Sequence, residues 1–228
     1  MIEKVKEFYT GFGLIIGFAI VLILFFLPFY NGKNVLNYLD NLYNSISKGS
    51  AYYIPKVKEE ADKYLGSTIA VTLGMTNQQQ AEQTALLFKA AGADANIKEA
   101  QLQVAGDLGK ILENALVDAD FMYRNEGKKV VEKYGYDERL VLFNWWKAMR
   151  EMDKDLGKQK KFKEGKIISL IQKKATETSY NYYTVESKNI GDRWGTVLFS
   201  LVFYVIYTLW YGFSILFMFE GWGLKLGH

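Results

Sequence analysis

Residues 8–32 read FYTGFGLIIGFAIVLILFFLPFYNG, and residues 194–219 read WGTVLFSLVFYVIYTLWYGFSILFMF. Neither stretch carries an Asp, Glu, Lys, Arg or His. Each is longer than the roughly 20 residues that an α-helix needs to cross the hydrocarbon core of a bilayer. The pattern predicts an all-α membrane protein in which two transmembrane helices bracket an antiparallel helical-bundle domain. The expected layout is a short tail over 1–10, a first transmembrane helix over 11–30, an extramembrane domain over 31–193, a second transmembrane helix over 194–219 and a tail over 220–228.

The first apolar run exceeds the h-region of a cleaved signal, about 7–15 residues, and no A-x-A-like site follows it. It reads as an uncleaved signal anchor. Trp194 and Trp222 flank the second run. At 1.5 Å per residue they stand about 42 Å apart, the depth of a bilayer with its headgroups. They and Tyr30 are expected to sit at the membrane interfaces, where amphipathic rings collect. Two spans put both termini on one side. Lys4 and Lys6 mark the N-terminal tail, while Lys33, Lys188 and Arg193 mark the loop margins. A long loop translocates largely regardless of charge. The expected placement is a bacterial inner membrane, with the termini in the cytoplasm and the domain in the periplasm.

Gly13 and Gly17 form a Gly-x-x-x-Gly pair, and Ser200, Tyr204, Thr208 and Gly212 recur every four residues. Both patterns put small or hydroxylated residues on one helix face, which suits close packing and interhelical hydrogen bonds in lipid. They are read as the helix-packing residues. Their partner is either the other anchor or a helix of a larger complex.

Composition removes several chemistries. There is no cysteine, and the single histidine is His228. Thiolate nucleophiles, disulfides, multi-histidine metal sites and a Ser-His-Asp triad within one chain are excluded. The net charge of +3 gives no argument for nucleic acid. Gly106 and Gly109 follow no predicted strand, so they make no dinucleotide loop. No cofactor and no metal are expected.

Between the anchors the chain is rich in helix formers and holds Pro55 as its only proline. Val35, Leu39, Leu42 and Ile46 share a helical stripe, and Lys56–Leu65 reads as a short helix. Ser67–Met75 is apolar and β-branched, compatible with helix or extended chain. Thr76 and Gln79 suggest a capping box. Asp94 is read as the cap of a long helix with a Leu102, Ala105, Gly109, Leu112, Leu116 seam. Asp137 caps the next helix, whose seam is Leu142, Trp145, Met149, Met152 and Leu156. Lys166 to about Val185 is the last. No sustained alternation or hairpin dipeptide supports a sheet.

Glu113, Asp118 and Asp120 are close in sequence, but without histidine they read as solvated surface rather than a metal or acid–base site. Trp145 and Trp146 leave a helix about 100° apart. Trp145 belongs to the seam, so Trp146 is a candidate anchor for a partner. Tyr180, Tyr182 and Tyr183 enrich the approach to the second anchor and read as packing or interfacial rings. Lys158, Lys160, Lys161 and Lys163 belong to the densest basic run, a candidate contact for anionic lipid or an acidic partner. The anchor–bundle–anchor layout is similar to that of bacterial chemoreceptors and sensor kinases in architecture only, and no motif is shared. The leading expectation is a non-catalytic accessory or scaffold subunit, bound to lipid and to other membrane subunits or a second copy of itself. The alternative is a sensor-like ligand-binding module that signals through a partner.

Overall fold

The computed structural model describes residues 2–28 and 32–224. Tyr30 and His228 lie outside the described residues. Of the described residues 71% are helical, so the expectation of a predominantly helical protein holds. Its contacts divide it into two compact units, Met1–Gly49 with Ser187–His228, and Ser50–Glu186.

The first unit contains α1 (Val5–Phe26), α2 (Val35–Ser50), a short 3-10 turn (Ile190–Asp192) and α10 (Trp194–Gly221). Both α1 and α10 are long and apolar enough to cross a membrane, and only 6% of the apolar window of either is buried. They run antiparallel, with Phe25 against Phe203 (ring centroids 5.2 Å), Phe18 stacked on Tyr207 (4.2 Å) and Phe8 against Trp222 (5.7 Å). The indole of Trp210 donates to the Leu14 carbonyl at 3.0 Å, so its N–H is satisfied across the pair. The backbone N–H groups of Glu3 and Lys4 both donate to the Gly221 carbonyl, at 2.9 and 3.0 Å. This supplies partners for a terminal carbonyl that the helix itself leaves open.

The close approach is made by glycines, but not chiefly by the expected ones. A Cβ on Gly11 would lie 2.6 Å from the Ser214 carbonyl oxygen, and one on Gly221 would lie 2.5 Å from the Phe8 backbone nitrogen. Gly17 faces the Trp210 ring, which a Cβ there would meet at 3.0 Å, whereas Cβ atoms on Gly13 and Gly212 would have nothing within 4 Å. Two hydroxyls of the expected face bond within their own helix. Thr208 Oγ1 donates to the Tyr204 carbonyl at 2.7 Å, and Ser200 Oγ to the Val197 carbonyl at 2.8 Å. Such back-bonding within one helix is the usual recourse of a hydroxyl in apolar surroundings. Ser200 Oγ also meets the Tyr43 hydroxyl of α2 at 2.6 Å.

The second unit contains α3 (Ile54–Asp62), β1 (Thr68–Gly74), α4 (Gln78–Ala90), β2 (Asp94–Lys98), β3 (Gln101–Asp107), α5 (Leu108–Tyr123), α6 (Gly127–Tyr134), α7 (Glu138–Lys158), α8 (Phe162–Ile171), a π-helical turn (Gln172–Glu177) and α9 (Thr178–Tyr182). The sheet departs from the expected plain helical bundle. Its strands lie in the order β1-β3-β2, with both pairings antiparallel. Ile69, Val71 and Leu73 of β1 and Leu102 and Val104 of β3 point into the core. The opposite face carries Ala70, Thr72, Gln101 and Gln103, which are exposed.

The expected helix from Asp94 is therefore replaced by a hairpin and by α5. Gly106 explains part of the difference, because a Cβ there would lie 2.7 Å from that of Ala93. Gly109 lies in the first turn of α5, where a Cβ would lie 2.5 Å from the Leu65 nitrogen. Two glycines of the expected helix are thus places where other chain segments approach too closely for a side chain. The free edge of β1 is covered by α7. Asp155 Oδ2 accepts from the Thr72 N–H at 3.2 Å, and Gln159 Nε2 donates to the Ala70 carbonyl at 2.8 Å. Covered in this way, that edge is not open to pairing with another chain.

Caps fix the helix starts. Asp137 caps α7 as expected, accepting from the Leu140 N–H at 2.9 Å. The α4 cap is displaced by one residue from the expected pair. Asn77 Oδ1 accepts from the Gln80 N–H, and Gln80 Oε1 accepts from the Thr76 N–H, both at 2.8 Å. The α7 seam of Leu142, Trp145, Met149, Met152 and Leu156 is wholly buried, with Trp145 edge-on to Phe88 at 5.4 Å.

The two glycine positions give a contrast that can be measured. Gly11→Val is expected to weaken the α1–α10 pairing by about 1–3 kcal/mol, the usual cost of forcing atoms into a filled contact. Gly13→Val adds a side chain where there is room and is expected to cost under about 1 kcal/mol. Unfolding titrations in mixed micelles distinguish them, and equal losses would contradict the packing described.

Candidate docking surface

The outer face of α7 carries a second stripe, one residue out of step with the core seam. Arg139, Phe143, Trp146 and Arg150 follow one another at 4-3-4 spacing and so share a face. Phe143 is 42% exposed and stacks on Trp146 with ring centroids 6.0 Å apart. The Arg150 guanidinium lies 5.6 Å from the Trp146 ring centre. Arg139 lies 5.1 Å from that of Tyr183 and 5.9 Å from that of Tyr180.

Opposite this stripe stand the π-helical turn and α9. The chain there forms a wider turn, an arrangement that proteins use mostly in single turns and often at functional sites. One extra residue in a turn rotates all that follows by about 100° relative to an uninterrupted α-helix. Gln172 Nε2 donates to the Trp146 carbonyl at 3.0 Å and pins the turn to α7. Thr178 Oγ1 donates five residues back, to the Lys173 carbonyl at 2.9 Å. In this register Glu177 and Tyr180 join Phe143 and Trp146 in lining a cleft of about 310 Å³. Aromatic rings backed by arginine, with one carboxylate at the rim, make a surface suited to an apolar or aromatic side chain of a partner. Trp146 is legible in the sequence as an outward ring, and Tyr180 as one of an aromatic cluster. Phe143 and the two arginines are missed by that reading, although the repeated 4-3-4 spacing one residue off the seam carries them.

The three carboxylates of α5 separate. Glu113 is exposed and stands 3.6 Å from Lys58, while Asp120 pairs with Arg124 at 3.0 Å and accepts from the Tyr52 hydroxyl at 2.6 Å. Asp118 is not on the solvated surface as expected but fully buried. Its Oδ2 accepts from the Tyr134 hydroxyl at 2.6 Å and from the Trp145 indole at 2.8 Å, and its Oδ1 accepts from Lys133 Nζ at 2.7 Å. Asn114 closes the network, accepting from Lys133 at 2.6 Å and donating to Tyr134 at 3.0 Å. Burial, with the neighbouring Asp118 carboxylate, pushes the Tyr134 phenol well above its ordinary range. A carboxylate so enclosed has no path to a substrate. Its chemistry is to hold α5, α6 and α7 in one register.

The basic run divides as well. Lys158 ends α7, Lys160 takes a left-handed conformation (φ 61°), and Lys161 precedes α8. Lys163 lines a separate cleft of about 700 Å³ with Glu60, Tyr64, Phe162, Lys166 and Lys173. Trp194 and Trp222 stand at opposite ends of α10, 66% and 50% exposed. Among the described residues no group of three or more His, Asp or Glu lies together as metal ligands would. The chain matches no known protein family, and no characterised protein or solved structure is similar to it.

Two substitutions separate core from surface. Asp118→Ala leaves the Trp145 N–H, the Tyr134 hydroxyl and Lys133 without their acceptor and is expected to cost about 3–5 kcal/mol. Trp146→Ala removes a ring that faces outward and is expected to cost about 1 kcal/mol or less. Denaturant unfolding of the full chain in detergent, followed by tryptophan fluorescence, reads both. A large loss from Trp146→Ala would make that ring part of the core.

Proposed function

We propose that the protein is a non-catalytic accessory or scaffold subunit of a larger membrane assembly. On this reading α1 and α10 anchor it in a bacterial inner membrane, with the second unit in the periplasm, and the Phe143–Trp146–Tyr180 cleft receives a side chain of a neighbouring subunit. The observation that carries the reading is the exposed surface of the two long helices. After they have paired, only 6% of each apolar window is buried. An apolar side chain left in water forgoes about 1.5–3 kcal/mol, and α10 alone exposes Leu198, Phe199, Leu201, Val202, Val205 and Ile206. Lipid, or helices of other subunits, removes that cost. The cleft adds a second support, because half-buried Trp146 and exposed Tyr180, Arg139 and Arg150 are of the residue types that dominate binding at interfaces.

Ligand sensing is the second reading, favoured by the cleft of about 700 Å³ beside Tyr64 and Lys166. A volume of that size suits a small molecule.

The test uses native membranes. The protein is expected to stay with the pellet in alkaline carbonate. A photo-crosslinking residue at Phe143 is expected to give one discrete adduct, reduced at least about tenfold by Trp146→Ala, while the same probe at Thr72 on the open sheet face gives none. Release into the carbonate supernatant would remove the membrane reading. Equal crosslinking from both positions would remove the docking reading.

A further inference from the structure

The first unit holds a cavity of about 330 Å³ lined by Lys33, Tyr38, Asn41, Leu42, Ser45, Lys188 and Arg193. We propose that this cavity binds a phosphate group, either the headgroup of an anionic phospholipid or a free phosphate ion.

Its position comes from the chain itself. Lys33 lies seven residues beyond the end of α1 at Phe26, and Arg193 immediately precedes α10. The cavity therefore sits where the two apolar helices give way to polar chain. Its shape is held by contacts independent of any ligand. The Lys188 N–H donates to the Ser45 carbonyl of α2 at 3.0 Å, Asn189 Oδ1 accepts from the Gly191 N–H at 2.8 Å, and Tyr43 meets Ser200 at 2.6 Å. These tie the segment leading into α10 against α2, so that residues from before and after the second unit line one space.

Among the described residues the charge has no ion-pair partner, since none of Lys33, Lys188 and Arg193 forms a salt bridge. The nearest acidic residues in sequence, Asp40, Glu186 and Asp192, are exposed, and Asp40 accepts from Asn44 at 3.2 Å. Three cations around one cavity repel one another, and an anion between them reverses the sign of that interaction. Asn41 adds a neutral donor, since its amide spends only one N–H on the Asn37 carbonyl at 2.6 Å. A guanidinium presents paired donors that match phosphate oxygens, and lysines supply point charges beside it. Basic pockets at the ends of membrane helices bind lipid headgroups by this chemistry.

The lipid source rests on the membrane reading above, whereas the phosphate site does not. Native mass spectrometry of the full chain, released from nanodiscs of phosphatidylcholine with phosphatidylglycerol, reads the first. The expected result is a retained phosphatidylglycerol adduct that falls roughly fivefold for each charge removed in Lys33→Gln, Lys188→Gln and Arg193→Gln. Lys89→Gln with Lys98→Gln, exposed in the second unit, is expected to leave the adduct unchanged. Inorganic phosphate titrated against the detergent-solubilised protein, followed by phosphorus NMR, reads the second. Saturable broadening that is lost in the triple variant supports the site with free phosphate as a source, even if the protein leaves membranes in carbonate. Equal adducts in the triple variant and the parent, together with no phosphate response, would overturn the proposal. So would an equal fall from the Lys89 and Lys98 pair, which would reduce the effect to net charge. Matching melting curves for parent and variants exclude unfolding as the cause.

Discussion

The arrangement of α1 and α10 depends on one constraint, that two long apolar helices have more surface than they can hide in each other. Their seam uses Gly11 and Gly221, where backbone meets side chain or backbone at distances that admit no Cβ, and the aromatic pairs along Phe18, Phe25, Phe203 and Tyr207. That seam satisfies only a narrow strip of each helix. The Trp210 indole on it is answered across the pair by the Leu14 carbonyl, and the exposed Thr208 hydroxyl by Tyr204 of its own helix, whereas the buried Tyr207 hydroxyl has no partner among the described residues. Neither the Trp210 nor the Thr208 bond requires water, and internal satisfaction of polar groups is the condition a lipid environment imposes. A hydroxyl or indole is compatible with such an environment when its partner is on the same helix or the next.

The second unit solves a different problem, that of organising a core through a buried charge. Asp118 accepts hydrogen bonds from α6 through Lys133 and Tyr134 and from α7 through Trp145. An apolar replacement of the whole network would fill the space equally well, since burying charges costs most of what their pairing returns. What the network adds is specificity. An apolar contact tolerates a slide of one helix along another, whereas a carboxylate with three directed donors does not. The indole that meets Asp118 also packs on Phe88 of α4, so a single side chain couples the polar register to the apolar core.

Much of this is readable from the residues. The two long apolar helices follow from the absence of charge over long runs, and α7 from a cap and an unbroken seam. The sheet is not readable, for identifiable reasons. The outward residues of β1 are Thr68, Ala70 and Thr72, too little polar to make the alternation stand out. The turn between β2 and β3 places Glu99, not Asn or Gly, at φ 57°, so the usual hairpin signal is missing. Starting the helix at Asp94 instead of Leu108 also hides Asp118. Once α5 is taken from Leu108, the core residues Ile111, Ala115 and Met122 fall at 4-3-4 spacing through Asp118 itself. A carboxylate on a core stripe is then visible as an anomaly that demands partners.

The two stripes of α7 carry the reading of the surface one step further. A helix with one apolar stripe and one polar face needs only a core. Here the inner stripe is filled by Trp145, Met149 and Met152, and the outer face repeats aromatic residues at Phe143 and Trp146. Exposed rings of this size are a liability in water unless something limits their attraction for one another. Arg139 and Arg150 do so at both ends of the stripe, lying over rings at distances where a cation is attracted to the π-face. Each such contact is worth about 0.5–1 kcal/mol at an exposed site, enough to order the rings and too little to bury them. Arginine suits this role better than lysine because its planar group stacks on a ring while its outer N–H donors stay free for a carboxylate. The same residues that keep the face soluble therefore leave it with ordered rings and unspent donors, the combination from which a specific contact is made.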